Sequence, residues 1–208
     1  MFYERHPHNM LRFGDILEGF ILSSTSVKSP EDAKKKKQYH IEVRNPDYVV
    51  VLSPCCSIGD KTLALSPLVS VLPGFFNNPY LREDLTRVNR KMEPEQSVPP
   101  DVWKTMSDED KASRFKGKRK AYAFLETFVY EKHDLLKTYS VHRQAGNIET
   151  NYYMLDFRRI YRVECDKVAN PKQAPLETKI LELSVVTRGE LRDKLADYFG
   201  RIPDEDRI

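Results

Sequence analysis

Cysteine is nearly missing from this 208-residue chain, which holds only Cys55, Cys56 and Cys165. An odd number, two of them adjacent, argues against a disulfide framework and points to a reducing compartment. Adjacent residues of an extended strand face opposite ways, so Cys55 and Cys56 do not converge on one ion as zinc-binding pairs do. The five histidines (His6, His8, His40, His133 and His142) show no H-x3-H spacing. No metal and no other cofactor is therefore expected. A charge of one sign is missing too: 34 basic against 31 acidic residues leave a net +3. That balance permits a nucleic-acid partner without calling for one. The N-terminal MFYERHPHNM has no apolar signal core, and no apolar run approaches the ~18 residues of a membrane helix. The expected setting is cytoplasmic, with no membrane contact.

Glycine is scarce at 8 residues, whereas 11 Tyr and 10 Phe supply strand signal. Hydrophobic residues at 40% can fill the core of one domain spanning residues 1–208. Residues 11–22 read as one or two short strands, and 23–38 as a long exposed loop carrying Lys34–Lys37. Val49-Val50-Val51-Leu52 is a continuous apolar run, expected of a strand buried on both faces. Residues 62–72 read as the next strand. Residues 73–120, rich in Pro and charge, read as an insertion with a short helix at 81–88. A second helix follows Ser107, whose hydroxyl suits an N-cap ahead of Asp108, Glu109 and Asp110. Strands are expected at 121–130, at 152–164 with a break inside, and at 178–184. A C-terminal helix is expected at 187–199: Thr187 and Glu190 fit a capping box, and Leu191, Leu195, Tyr198 and Phe199 share a face.

Three groups of side chains can carry chemistry. The Ser53-Pro54-Cys55-Cys56-Ser57 turn follows a buried strand, and a thiol there needs a base such as His40 or His142 to become thiolate. Basic clusters occur at Lys34–Lys37, at Arg114, Lys116, Lys118, Arg119 and Lys120, and at Arg158, Arg159 and Arg162. The last lies among Tyr152, Tyr153, Phe157 and Tyr161, a mixture that suits stacked bases and phosphates of single-stranded RNA.

The third group is an order of motifs: Gly14-Asp15-Ile16, then Arg44-Asn45-Pro46 ahead of Val49–Ser53, then Ser66-Pro67-Leu68-Val69-Ser70. That order resembles the PemK/MazF growth-inhibitor toxins. The resemblance implies an SH3-like, PemK-type small barrel in an α+β, mainly β fold. It also implies cleavage of single-stranded RNA without a metal, usually by a dimer. By position, Arg44 takes the place of the RNA-activating arginine. Val69 stands where those toxins have threonine, with Ser70 one residue along, and His40 or His142 is a candidate base. The chain is also similar to bacterial and prophage proteins with a Gly-Asp start, a V-V-x-S-x-x-C strand end and a closing helix like Tyr198-Phe199-Gly200-Arg201. Three functions stay open: a non-catalytic module of a mobile-element or defence-type system binding nucleic acid or protein, a PemK/MazF-like endoribonuclease using Arg44, Ser70 and His40, and a cysteine-dependent enzyme at Cys55/Cys56. The partners in view are single-stranded RNA or another protein, and a homo-oligomer is compatible with each.

Overall fold

The computed structural model describes residues 1–28, 38–54, 57–58, 62–81, 83–96, 98, 100–115, 121–122, 124–143, 145–164 and 178–200. Of the described residues 36% are strand and 25% helix, so the fold is α+β and mainly β, with an open sheet and a C-terminal helix. The chain divides into two compact units. One comprises Arg5–Leu68 and Arg159–Glu182 and, after the five strands of its main sheet, is the five-strand unit. The other comprises Met1–Glu4, Val69–Arg158 and Leu183–Ile208 and is called the helix-bearing unit.

In the five-strand unit, β1 (Ile16–Glu18) runs antiparallel to β4 (Tyr48–Val51) with Ile16 opposite Val50. Strand β4 pairs with β5 (Thr62–Ser70), all but whose last two residues belong to this unit. Strand β12 (Tyr161–Glu164) adds to β5, and β13 (Lys179–Leu181) closes the other edge on β1. Val49, Val50 and Val51 are almost wholly buried, as the unbroken apolar run predicts. Leu11, Leu17, Leu22, Ile58, Leu63 and Leu65 complete the core around Val49 and Val51.

Beside this sheet stands a second, two-stranded one. It consists of β2 (Leu22–Lys28) and β3 (Gln38–Arg44). Residues 23–28, and Gln38 at the start of β3, therefore lie in strands where a loop was expected. The run Ser23-Ser24-Thr25-Ser26 is polar because both faces of the ribbon meet solvent, and ladder pairing to β3 satisfies the backbone groups on the shared edge. Lys34–Lys37 lie outside the described residues.

The helix-bearing unit packs α1 (Pro73–Asn77) and a 3-10 helix (Leu85–Asn89) against strands. These strands are β8 (Thr127–Tyr130), paired with β11 (Tyr153–Asp156), and β9 (Tyr139–Arg143), paired with β10 (Gly146–Thr150). Two-residue strands β6 (Lys91–Met92) and β7 (Ala121–Tyr122) pair with each other. Helices α2 (Pro100–Thr105) and α3 (Asp108–Phe115) complete the segment, the latter capped as expected: the Asp110 N–H donates to Ser107 Oγ at 3.0 Å. The segment 73–120 supplies Phe75, Phe76, Leu81, Leu85 and Val88 to this unit's core, so it is built into the unit. Asn89 shows how: its side-chain amide donates to the Val129 carbonyl at 2.6 Å and accepts from the Val129 N–H at 2.7 Å. A side chain thereby takes the place of a neighbouring strand.

Residues 121–130 are two strands where one was expected. Phe124 interrupts them at φ 53°, a left-handed conformation costly for an aromatic residue. Stacking on Phe75, with centroids 4.5 Å apart, offsets that strain. The break expected within 152–164 falls between β11 and β12.

Helix α4 (Val185–Phe199) starts two residues before the expected Thr187. Ser184 is its N-cap, and its Oγ accepts from the Thr187 N–H at 3.3 Å. The buried stripe is Thr187, Leu191 and Lys194, while Phe199 is exposed. At Gly200 a Cβ would lie 2.9 Å from the Ala196 carbonyl oxygen, so close approach selects glycine there. Ser184→Ala should cost about 1 kcal/mol of stability. Glu190→Ala, at the expected capping-box acid, should cost about 0.5 kcal/mol or less. Urea denaturation of both variants checks the assignment of the cap.

Candidate functional site

The β2–β3 ribbon runs in register from Leu22 opposite Arg44 to Lys28 opposite Gln38. Alternate residues of a strand share a face, so Tyr39, Ile41 and Val43 line one side of β3. They are 72%, 72% and 64% exposed. Three strand-favouring apolar side chains in a row are thus uncovered, opposite exposed Thr25 and Ser23. The other side of β3 carries His40, Glu42 and Arg44. Arg44 Nη2 binds Glu42 Oε1 at 2.6 Å. Its Nε is shielded from solvent and meets no acceptor among the described residues. Among those residues β3 has a strand on its β2 edge only, which leaves its outer backbone edge open.

His40 and Arg44 share one face of β3 but stand four residues apart, about 13 Å between Cα atoms. Glu42 lies between them and compensates the guanidinium. Ser70, the last residue of β5, is exposed and belongs to the helix-bearing unit. His142, also exposed, faces Asn147 across the β9–β10 ladder, Nδ1 to Oδ1 2.8 Å.

The arginines expected to meet nucleic acid are partly engaged. Arg158 forks onto Asp156, with Nε–Oδ1 2.8 Å and Nη2–Oδ2 2.9 Å. Arg162 reaches Thr62 Oγ1 at 3.4 Å. Arg159 is exposed, as is Arg114 in the last turn of α3. Lys116, Lys118, Arg119, Lys120, Cys55, Cys56 and Cys165 lie outside the described residues.

Two polar constellations that the sequence reading did not name are buried. In the five-strand unit, Lys179 on β13 is 5% exposed and sits between two carboxylates. Its Nζ donates to Asp15 Oδ2 at 2.8 Å and Glu182 Oε2 at 2.7 Å, and to the carbonyls of His8 and Met10 at 3.1 and 2.9 Å. Glu182 also accepts from the His8 backbone N–H at 2.8 Å. Its second oxygen lies 3.0 Å from His8 Nδ1 and 3.7 Å from Arg12 Nε. Burial pushes the Asp15 carboxyl up to about 6 against the pull of Lys179. Burial also acts upward on Glu182, but hydrogen bonds from Lys179 and His8 and the charge of Lys179 outweigh it, holding that carboxyl at about 2. Asp15 Oδ1 is buried without a hydrogen-bond partner among the described residues.

In the helix-bearing unit, Lys194 of α4 is wholly buried and donates to the Val88 carbonyl. Burial lowers its pKa to about 7, and Glu126 opposes the shift. Its Nζ lies 5.2 Å from the Tyr122 ring centroid, and that of Lys91 lies 5.7 Å from the same centroid. A groove of about 480 Å³ lies here, lined by Asn89, Lys91, Tyr122, Glu190, Asp193 and Asp197 among others. Its charges are largely matched within the protein: Lys91 with Asp197 at 3.1 Å, Arg90 with Glu190 at 3.8 Å, and Asp193 with Arg192 at 2.9 Å. Burial, then Asp197, Asp193 and Glu190, push the Tyr122 hydroxyl up to about 12. The groove therefore holds a protonated phenol among paired ions.

The helical spacing of Thr187, Leu191 and Lys194 places the lysine on the buried stripe, a signal present in the sequence. The Asp15–Lys179 contact joins residues 164 positions apart and has no local signal. No protein-family model matches the chain, and no curated protein or solved structure does so.

Lys179→Met leaves two buried carboxylates without their cation and should cost about 3–5 kcal/mol, read by urea denaturation at neutral pH. Lys194 has a folded pKa below its ordinary value of 10.5. Its stabilising contribution is therefore full above pH 10.5 and is lost as pH falls through about 7. Lys194→Met should flatten the decline in stability of the native protein from about pH 10 to about pH 7. Equal slopes in the two proteins would contradict this placement of the amine.

Proposed function

We propose that this protein is a non-catalytic interaction module that binds a protein partner through its β2–β3 ribbon. One observation carries the reading: Tyr39, Ile41 and Val43 stand uncovered on one face of a strand whose outer edge pairs with no strand among the described residues. Exposed apolar side chains in contiguous array mark binding surfaces, and an open edge accepts a further strand. The mobile-element or defence-type setting rests on the resemblance alone.

The SH3-like, PemK-type barrel remains part of the proposal. It is supported by the order of the Gly14, Val49–Ser53 and Ser66–Ser70 motifs, and by the antiparallel β1, β4, β5 and β12, which contribute to one apolar core. The ribonuclease chemistry draws less support. Cleavage at a 2′-hydroxyl needs a base and a phosphate-binding cation in reach of one reacting group. His40 and Arg44 are about 13 Å apart along their strand, and Glu42 already pairs with Arg44.

Mixed-sequence single-stranded RNA, incubated with the purified protein with and without EDTA, should stay intact, and Arg44→Ala should change nothing. Cleavage by the native protein that Arg44→Ala abolishes would replace this reading with the endoribonuclease. The partner-binding half is read by pull-down: a protein captured by the native chain should be lost when Ile41 is replaced by Lys.

A further inference from the structure

We infer that the open edge of β3 pairs with β3 of a second copy, antiparallel about a two-fold axis through Ile41. The inference rests on the reading of the ribbon as a binding surface and names its occupant. The argument is register. In that alignment Ile41 meets Ile41 of the second copy, Tyr39 meets Val43, and His40 meets Glu42.

The apolar face then joins three cross-strand pairs into one continuous patch. Aromatic with β-branched, and β-branched with β-branched, are favourable neighbours across a ladder. On the other face each Glu42 carboxylate lies opposite an imidazole of the second copy. It keeps its own Arg44, at 2.6 Å in the single chain.

Neighbouring registers lack this match. Shifting by two residues one way sets Glu42 opposite Glu42 and Arg44 opposite His40. Shifting two the other way sets the two His40 side chains opposite each other and strips Val43 of an apolar partner within the strand. A slip of one residue moves every apolar side chain onto the polar face. A sequence complementary to itself in one register, on an edge that no described strand covers, fits an isologous contact between identical chains.

A two-fold axis makes a specific demand: the residue on the axis faces itself. Ile41→Glu and Ile41→Lys each place like charges opposite each other, whereas a mixture of the two places Glu opposite Lys. The native protein should sediment at twice its 24.3 kDa chain mass at micromolar concentration. Each variant alone should sediment as a monomer, with self-association weakened about tenfold or more. Equimolar mixing should restore the doubled mass. Circular dichroism of the single variants separates lost pairing from lost folding, since residue 41 is exposed and its replacement leaves the core intact.

A monomeric native protein, or a dimer indifferent to both variants, would overturn the self-pairing. If that monomer still captures a protein that Ile41→Lys fails to capture, the ribbon is a binding surface for a different chain. If capture is also indifferent to Ile41, the ribbon reading falls with it. A dimer that both variants break but their mixture does not restore would place the axis away from Ile41 and overturn the register.

Discussion

A single ammonium group ties down the edge of the five-strand unit's main sheet. Lys179 Nζ gathers two carboxylates and two backbone carbonyls into one buried site, tying β13, the start of β1 and the N-terminal stretch around His8 together. Strand β13 is only three residues long, and its ladder to β1 slips at Ile16/Leu17. Three residues of irregular pairing hold an edge strand weakly. The charge cluster supplies what the ladder lacks. Burying charge is costly, and the cost is met here because each ion finds opposite charge at 2.7–2.8 Å. Asp15 is the poorer-served carboxylate, with one oxygen unpartnered, whereas Glu182 collects donors on both oxygens. Burial dominates at Asp15, whereas at Glu182 the donors and the Lys179 charge outweigh it, so the two pKa values move in opposite directions although both lie against the same lysine.

What the sequence made legible follows from range. Elements specified by nearest neighbours were readable: the Val49–Val51 strand by its apolar run, α3 by Ser107 and the acids after it, and most of α4 by its spacing. Elements specified from afar were not. The polar run Ser23–Ser26 is a strand only because β3 lies beside it. The strand pattern of 121–130 conceals a break because Phe75, some fifty positions earlier, stabilises the left-handed Phe124. The cap of α4 was misplaced because Thr187 with Glu190 satisfies the same local rule as Ser184, and tertiary burial of Thr187 decides between them.

The candidate residues divide in the same way. Arg44 and His40 were visible as residues, but nothing in the sequence places Glu42 on the guanidinium. The alternation Tyr39, Ile41, Val43 was also visible. In an amphipathic strand, however, such alternation ordinarily means that the apolar face is turned inward. Only the structure shows that it is turned outward.

That orientation bears on which function the fold favours. A catalytic site concentrates polar groups in a recess, and the two buried polar clusters among the described residues carry structural contacts. Lys179 meets Asp15 and Glu182 out of solvent, and the ions around Tyr122 are paired within the chain. On β3, backbone groups along an edge that no described strand covers lie beside three exposed apolar side chains. Backbone edges and apolar stripes do no acid–base chemistry. Their free energy is recovered by covering them, and a second strand in the matching register covers both at once.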